Sequence, residues 1–226
     1  DDGTAAPDTR VADLPTRFAS YQPENFDRMF RGDVRVSDAL QHSLNIPAVL
    51  MLDKVGPERF AAALALAGAR PRISGGADHD AGLAIALGGA GLTARELAVL
   101  YAALGDGGIA KPLVWRADEE GVSFETNGKR LVSAESAEEV LDILRKAPTP
   151  EGRMPGSLTA NAPQIAFKTG TSYGFRDSWA AAVSGQHAII VWVGRADGAP
   201  RPGVTGREAA LPILFEIADR VAQHLK

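Results

Sequence analysis

The sequence predicts an α+β fold. Residues 35–108 read as a run of short helices, residues 165–193 as three strands joined by short turns, and the C-terminus as an amphipathic helix. Helices first, followed by an antiparallel meander with flanking helices, is the α+β order of elements.

The elements follow in chain order. Residues 1–34, rich in Asp, Pro, Gly and Arg, predict an extended, looped lead-in. Ser37 is placed to cap a helix through Ala39, Leu40 and Gln41. Pro47 disfavours helical geometry at Ile46 and suits the first turn of a second helix, Pro47 to about Lys54. That leaves Ser43, Leu44 and Asn45 at a break between helices. A third helix spans Pro57 to Ala67, closed by Gly68. Residues 70–82 predict a polar, glycine-rich loop. Thr93 and Glu96 form a capping box for a helix over Ala94–Leu104, which the Gly105–Gly108 stretch ends. The helical segment is therefore 35–108, and 109–226 forms the sheet with its helices.

Beyond residue 108 the period changes. Ile109–Trp115 reads as a strand, and Asn127-Gly128 as a hairpin turn between Val122–Glu125 and Lys129–Val132. Ser136 and Glu139 form a second capping box, for a helix through Val140, Leu141, Ile143 and Leu144. Residues 147–163, with their prolines and glycines, predict a loop. Strands are expected over Ile165–Thr169, Ser178–Val183 and Ala188–Val193. After a Pro/Gly loop from Arg195 to Gly206, the last helix runs from Glu208 to Leu225 with Leu211, Leu214, Ile217 and Val221 on one face.

Composition narrows the function. The chain has 226 residues, enough for one large domain or two closely joined subdomains, and 45% of them are hydrophobic. Lys plus Arg number 24 against 28 Asp plus Glu, a formal charge of −4, so no basic face points to nucleic acid as a partner. Cysteine is absent, which excludes disulfides and thiolate metal sites. Asp1-Asp2-Gly3-Thr4 is no signal peptide, and the apolar run Ala61–Ala67 is too short to cross a bilayer. Any membrane anchor is expected outside these residues.

Two short motifs could carry chemistry. Lys168-Thr169-Gly170-Thr171, at the end of a predicted strand, combines a cation, two hydroxyls and a glycine that lets a ligand backbone lie close, which together suit an anion. Taken alone it reads rather as an edge strand with a solvated lysine and threonines present for β-propensity. Ser43 and Asn45 at a helix break can cap a helix end or, functionally, pass a proton and hold an amide carbonyl. Ser-x-Asn followed by Lys-Thr-Gly is, however, two thirds of the signature of penicillin-binding proteins and serine β-lactamases. Other candidates are weaker. Gly88-Gly89-Ala90-Gly91 lacks the Gly-Lys-Ser/Thr of a phosphate loop. Asp78-His79-Asp80 reads as a solvated turn rather than a metal site. His42, His187 and His224 form no triad pattern, and Tyr173, Phe175 and Arg176 are placed either at a site rim or in turn packing.

From about residue 13 onward the chain resembles the transpeptidase domain of bifunctional, class A penicillin-binding proteins. The residues that carry this are Tyr21–Asp27, Ala39–Ala48, Leu87–Thr93 leading into Glu96, Leu97, Ala98 and Tyr101, Phe167–Asp177, Trp179, and Trp192–Arg195. The resemblance implies one transpeptidase domain of the penicillin-binding protein and serine β-lactamase-like fold, incomplete at its N-terminus. It implies an acyl-serine mechanism without metal or cofactor, acting on the D-Ala-D-Ala ends of peptidoglycan stem peptides and binding β-lactams. Ser43 would relay protons to the leaving group and Asn45 would hold the substrate amide carbonyl. Lys168, Thr169 and Thr171 would bind the terminal carboxylate, Gly170 would allow the approach, and the Thr171 N–H would be one oxyanion donor. A periplasmic domain, in a parent protein anchored in the bacterial inner membrane, is implied as well.

The family's Ser-x-x-Lys is missing. No serine here has a lysine three residues later: Ser43 is followed at that spacing by Ile46 and Ser172 by Phe175. The nucleophile is therefore expected upstream, in a segment of the parent protein that acts as this chain's partner, and the chain alone is expected to be inactive with an exposed sheet edge. Two rival readings stand beside this one: a D,D-carboxypeptidase or β-lactamase on the same fold, and a non-catalytic wall-binding or regulatory module.

Overall fold

The computed structural model describes residues 1–18, 21–73, 81–114, 128–159 and 162–224. The chain divides into two compact units, Asp1–Ala63 with Pro71–Gly91, and Leu64–Arg70 with Leu92 onward. The helix over residues 94–105, helical by sequence order, thus belongs with the sheet.

In the first unit the lead-in contains a ribbon that its composition conceals. Strand β1 (Arg10–Asp13) pairs antiparallel with β2 (Gly32–Arg35), setting Val11 opposite Val34. Helix α1 (Val36–Gln41) follows directly. Ser37 does not cap it. The N-cap is Arg35, and the Val36 and Ser37 N–H groups donate to the Thr9 and Pro7 carbonyls at 2.9 and 3.0 Å. Neighbouring backbone has taken the place of a side-chain cap.

Helix α2 (Asn45–Val55) begins two residues before Pro47, so Ile46 is helical after all. Pro47 sits in the first turn, where an N–H has no intrahelical partner to lose. Val11, Ala39 and Leu44 form the local core, with Val34, Val36, Leu50 and Met51 packed on it. Helix α3 (Pro57–Leu66) follows, ended as expected at Gly68 (φ +87°), where the Ala69 N–H reaches the Leu64 carbonyl at 3.0 Å. Strand β3 (Arg72–Ile73) pairs with β4 (Ala90–Gly91), and a short helix α4 (Ala81–Ala84) precedes β4. The Asp78-His79-Asp80 turn lies outside the described residues.

Beyond Gly91 the second unit continues with α5 (Ala94–Gly105) and its expected capping box: Glu96 N–H to Thr93 Oγ1 at 3.2 Å, and Thr93 N–H to Glu96 Oε2 at 2.7 Å. Strand β5 (Ile109–Ala110) is shorter than predicted and pairs with β6 (Lys129–Arg130). The Val122–Glu125 arm, Asn127 and Trp115 lie outside the described residues. Helix α6 (Ala134–Arg145) starts before Ser136 and is capped by Ser133, which accepts the Ser136 N–H at 3.1 Å. Leu131 and Val132 donate to the Gly108 carbonyl, holding the chain extended up to Ser133, so the helix begins as soon as that pairing ends.

Strands β7 (Ile165–Thr171), β8 (Asp177–Ser184) and β9 (His187–Gly194) form an antiparallel sheet in that order. The final helix is broken into α7 (Gly206–Ala209) and α8 (Leu211–His224). A Thr205–Glu208 capping box starts α7, a Thr-x-x-Glu signal that was present in the sequence. The buried stripe of α8 is Leu211, Leu214, Phe215 and Ala218, while Ile217 is exposed. This stripe packs on Ile165, Phe167, Ala180, Ala182, Ile189 and Val191, with Phe167 edge-on to Phe215 at 5.1 Å. Helix α5 lies against β8 and β9, and β8 is buried along nearly its whole length.

Candidate functional site

The predicted residues fall into two groups. Lys168, Thr169, Gly170 and Thr171 lie on one strand of the second unit, and Ser43 and Asn45 at one helix start of the first.

β7 runs through the whole Lys-Thr-Gly-Thr motif, pairing Lys168 with Ala181 and Thr171 with Ser178. It is the terminal strand in the sheet order, so its outer side has no strand neighbour among the described residues. Alternation puts Thr169 and Thr171 on the face of Phe167 and sends Lys168 to the other. The Lys168 ammonium donates to the Thr169 carbonyl at 2.7 Å. Burial pushes its pKa down from 10.5 to about 8, because a desolvated ammonium gives up its proton more readily. At neutral pH it remains largely charged and suited to a carboxylate.

Thr171 Oγ1 accepts the Gly206 N–H at 3.0 Å, which fixes the side chain and leaves the hydroxyl proton to donate. Gly206 is seated directly on the β7–β8 pair: a Cβ there would overlap the carbonyl oxygens of Gly170 and Trp179. Gly170 is different. A Cβ on it would meet only the Trp179 Cβ, at 3.7 Å, an ordinary contact, so packing does not demand glycine at this place.

The turn after the motif is tightly tied. Ser172 exchanges hydrogen bonds with Asp177 (N–H to carbonyl 3.0 Å, Asp177 N–H to Ser172 Oγ 2.8 Å), and Phe175 adopts φ +57° with its carbonyl accepting the Arg201 N–H at 2.8 Å. Tyr173 is fully exposed, and Phe175 is half-buried. Trp192 is 44% exposed and donates Nε1–H to Asp177 at 2.9 Å.

In the first unit, Ser43 is exposed and left-handed, φ +57°, a conformation unusual for a residue with a side chain. Asn45 is the first residue of α2, and the helix receives no side-chain cap from Leu44. The Asn45 N–H donates instead to Asn25 Oδ1 at 2.8 Å. Asn25 Nδ2 donates to both oxygens of Asp13, at 2.7 and 3.0 Å, and to the Met29 carbonyl at 2.8 Å. Arg31 N–H adds a further bond to Asp13 Oδ2 at 2.9 Å. Asp13 is fully buried and Asn25 nearly so. Sequence reasoning assigned neither a role. Asn25 lies in the family-like stretch Tyr21–Asp27, but nothing local marks Asp13 as a core residue. Asn45 Nδ2 donates to the Glu24 carbonyl at 2.7 Å, which orients the amide and leaves its second N–H available to a ligand.

A cleft of about 470 Å³ near Arg153, Phe167 and Phe215 contains none of the predicted residues. No described helix is long and apolar enough to cross a membrane.

A Ser-x-Asn at a helix start and a Lys-Thr-Gly-Thr on a sheet edge are two of the three elements of the penicillin-binding protein signature, the third being Ser-x-x-Lys. Residues 1–201 match the penicillin binding protein transpeptidase domain, and the chain belongs to that family. Among its relatives, penicillin-binding protein 1C of Escherichia coli K12 is 36% identical over 217 residues, covering 96% of this chain and 27% of the relative. Penicillin-binding protein 1B of Vibrio cholerae is 31% identical over 220 residues, covering 92% and 26%. The chain spans about a quarter of the length of these relatives. The fold is shared with penicillin-binding protein 1A of Haemophilus influenzae, at TM-score 0.75 and 19% identity over 96% of this chain and 39% of that one. It is shared equally with the PonA1 protein of Mycobacterium tuberculosis in complex with penicillin V, at TM-score 0.74 and 19% identity over 97% and 64%. The α+β class and the family resemblance both hold.

Proposed function

We propose that this chain is the substrate-anchoring and proton-relay part of a serine D,D-transpeptidase that cross-links peptidoglycan stem peptides and binds β-lactams, periplasmic in a membrane-anchored parent. Lys168, its ammonium drawn to the β7 edge by its bond to the Thr169 carbonyl, takes the terminal carboxylate together with the Thr169 and Thr171 hydroxyls. The outer edge of β7 lies against the substrate backbone, and the Thr171 N–H stabilises the oxyanion as the carbonyl is attacked. Asn45 holds the substrate amide carbonyl through its second Nδ2 proton, and Ser43 passes a proton to the leaving group. The attacking serine comes from outside these 226 residues, since they hold no Ser-x-x-Lys, and the isolated chain does not turn over substrate.

The observation that carries this reading is Gly170, a glycine on an edge strand that the protein's own packing does not require. Its purpose is then the ligand's approach. Gly170→Ala should accordingly fold with stability within about 1 kcal/mol of wild type, Gly to Ala being neutral or mildly favourable where conformation allows. It should bind penicillin about tenfold or more weakly, the cost of a methyl group in a close backbone contact. A loss of stability with unchanged binding would return Gly170 to packing.

Intact mass after incubation with a penicillin tests the whole reading. The full-length protein carrying this sequence should gain one adduct, and the 226-residue chain none. An adduct on the chain alone would make one of its own serines the nucleophile and remove the relay role of Ser43. No adduct on either would overturn the reading.

A further inference from the structure

We propose that Asp13 and Asn25 are positioning residues that set the geometry of Asn45 and Ser43, an inference that rests on the transpeptidase reading above. A fully buried carboxylate is costly unless hydrogen bonds replace its water, and Asp13 has such bonds from Asn25 and from Arg31. Buried polar networks of this kind are weak contributors to stability, and apolar replacements often match them. What this one does is specific in geometry.

Its last link is the first amide of α2. Leu44 offers that amide no cap, so the acceptor is brought from twenty residues upstream by Asn25, and Asp13 determines which way Asn25 faces. The amide orientations are dictated chemically. Asn25 Nδ2 faces only acceptors, the Asp13 carboxylate and the Met29 carbonyl, while its Oδ1 faces the Asn45 N–H. Asn45 Nδ2 likewise faces the Glu24 carbonyl, in the residue preceding Asn25. Both ends of Asn45 are therefore held by the segment Glu24–Asn25, and that segment is held by Asp13. Ser43 lies between two anchors, Asn45 on one side and α1 on the other, where its own N–H reaches the Leu40 carbonyl at 3.2 Å. A left-handed non-glycine residue persists only when its surroundings over-determine it.

The test exchanges the two polar groups in the full-length protein: Asp13→Asn, Asn25→Asp, and both together. The first single change sets donor against donor, and the second sets carboxylate against carboxylate. In the double variant the carboxylate now at position 25 can again accept from the Asn45 N–H. It can also accept from the amide now at position 13, whose oxygen in turn accepts from the Arg31 N–H. Two quantities are measured: the acylation rate with a fluorescent penicillin, and hydrogen exchange of the peptide covering residues 42–50. Each single variant should acylate about tenfold or more slowly, as small misplacements of a reacting group do, with faster exchange at the start of α2. The double variant should regain part of both, because the carboxylate at position 25 still leaves the Met29 carbonyl without its donor. A folded Asp13→Asn protein with altered exchange but wild-type acylation would reduce the network to a structural role and overturn the proposal. So would a double variant of wild-type melting temperature that stays as slow as the singles. A wild-type protein that takes up no penicillin fails the transpeptidase reading itself, an outcome separate from either of these.

Discussion

Replacing Gly206 with alanine should destabilise the domain by about 2–3 kcal/mol, the range for forcing an extra carbon into a closed contact. The added methyl would meet the Gly170 and Trp179 carbonyl oxygens and lie about 3.1 Å from the Trp179 nitrogen, all of them backbone atoms that no rotamer change can move aside. The start of α7 would have to lift from the sheet. That also stretches the bond from the Gly206 N–H to Thr171 Oγ1, so ligand binding should fall together with stability. Urea melts and penicillin titration on one preparation check both. Wild-type stability would mean that α7 is not seated on β7 and β8 as described. Gly206 and Gly170 thus make opposite predictions: alanine at Gly206 costs fold and function, and alanine at Gly170 costs function alone.

Lys168→Met should do the reverse for the fold. Burial lowers the lysine from 10.5 to about 8, a shift that corresponds to roughly 3 kcal/mol of unfavourable charge burial below pH 8. Methionine has similar length and no charge. It forfeits the charge-assisted bond to the Thr169 carbonyl, worth about 1.5–3 kcal/mol, so the net gain at pH 7 should be about 1 kcal/mol or less. The pH dependence has a definite sign. Between about 8 and 10.5 the unfolded chain holds a proton that the native chain has released, so wild-type stability should rise with pH across that window, and the variant should lose this rise. Ligand binding runs the other way: affinity for a carboxylate should fall as pH climbs through about 8 and should be largely gone in Lys168→Met at any pH. Denaturant melts at about pH 7 and about pH 9.5, on either side of the folded-state pKa, decide it. A variant less stable than wild type at the lower pH would show that the ammonium is a net stabiliser of the fold.

Much of this protein is legible from its residues. The Thr93–Glu96 capping box, the glycine that closes α3, the three strands and the Lys-Thr-Gly-Thr edge are all signalled locally, because each depends on a few adjacent side chains and a short-range rule. The misses share one cause. Ser37 and Ser136 are reasonable caps, yet α1 is capped by the backbone of residues 7–9, and α6 by Ser133 after a strand ends. Ile217 satisfies the helical period but faces solvent, because the sheet and not the helix selects which stripe is covered.

Fold class, family and the six candidate residues Ser43, Asn45, Lys168, Thr169, Gly170 and Thr171 can all be read from the chain before it folds, since motif, order and periodicity are properties of neighbouring residues. What holds those six in place emerges only with packing. Asp13 reaches Asn45 through Asn25 across segments far apart in sequence. Gly206 bonds to Thr171, a residue thirty-five positions earlier, and Lys168 loses its water to a sheet face. Burial and long-range hydrogen bonds exist only once distant segments meet, so no local pattern encodes them.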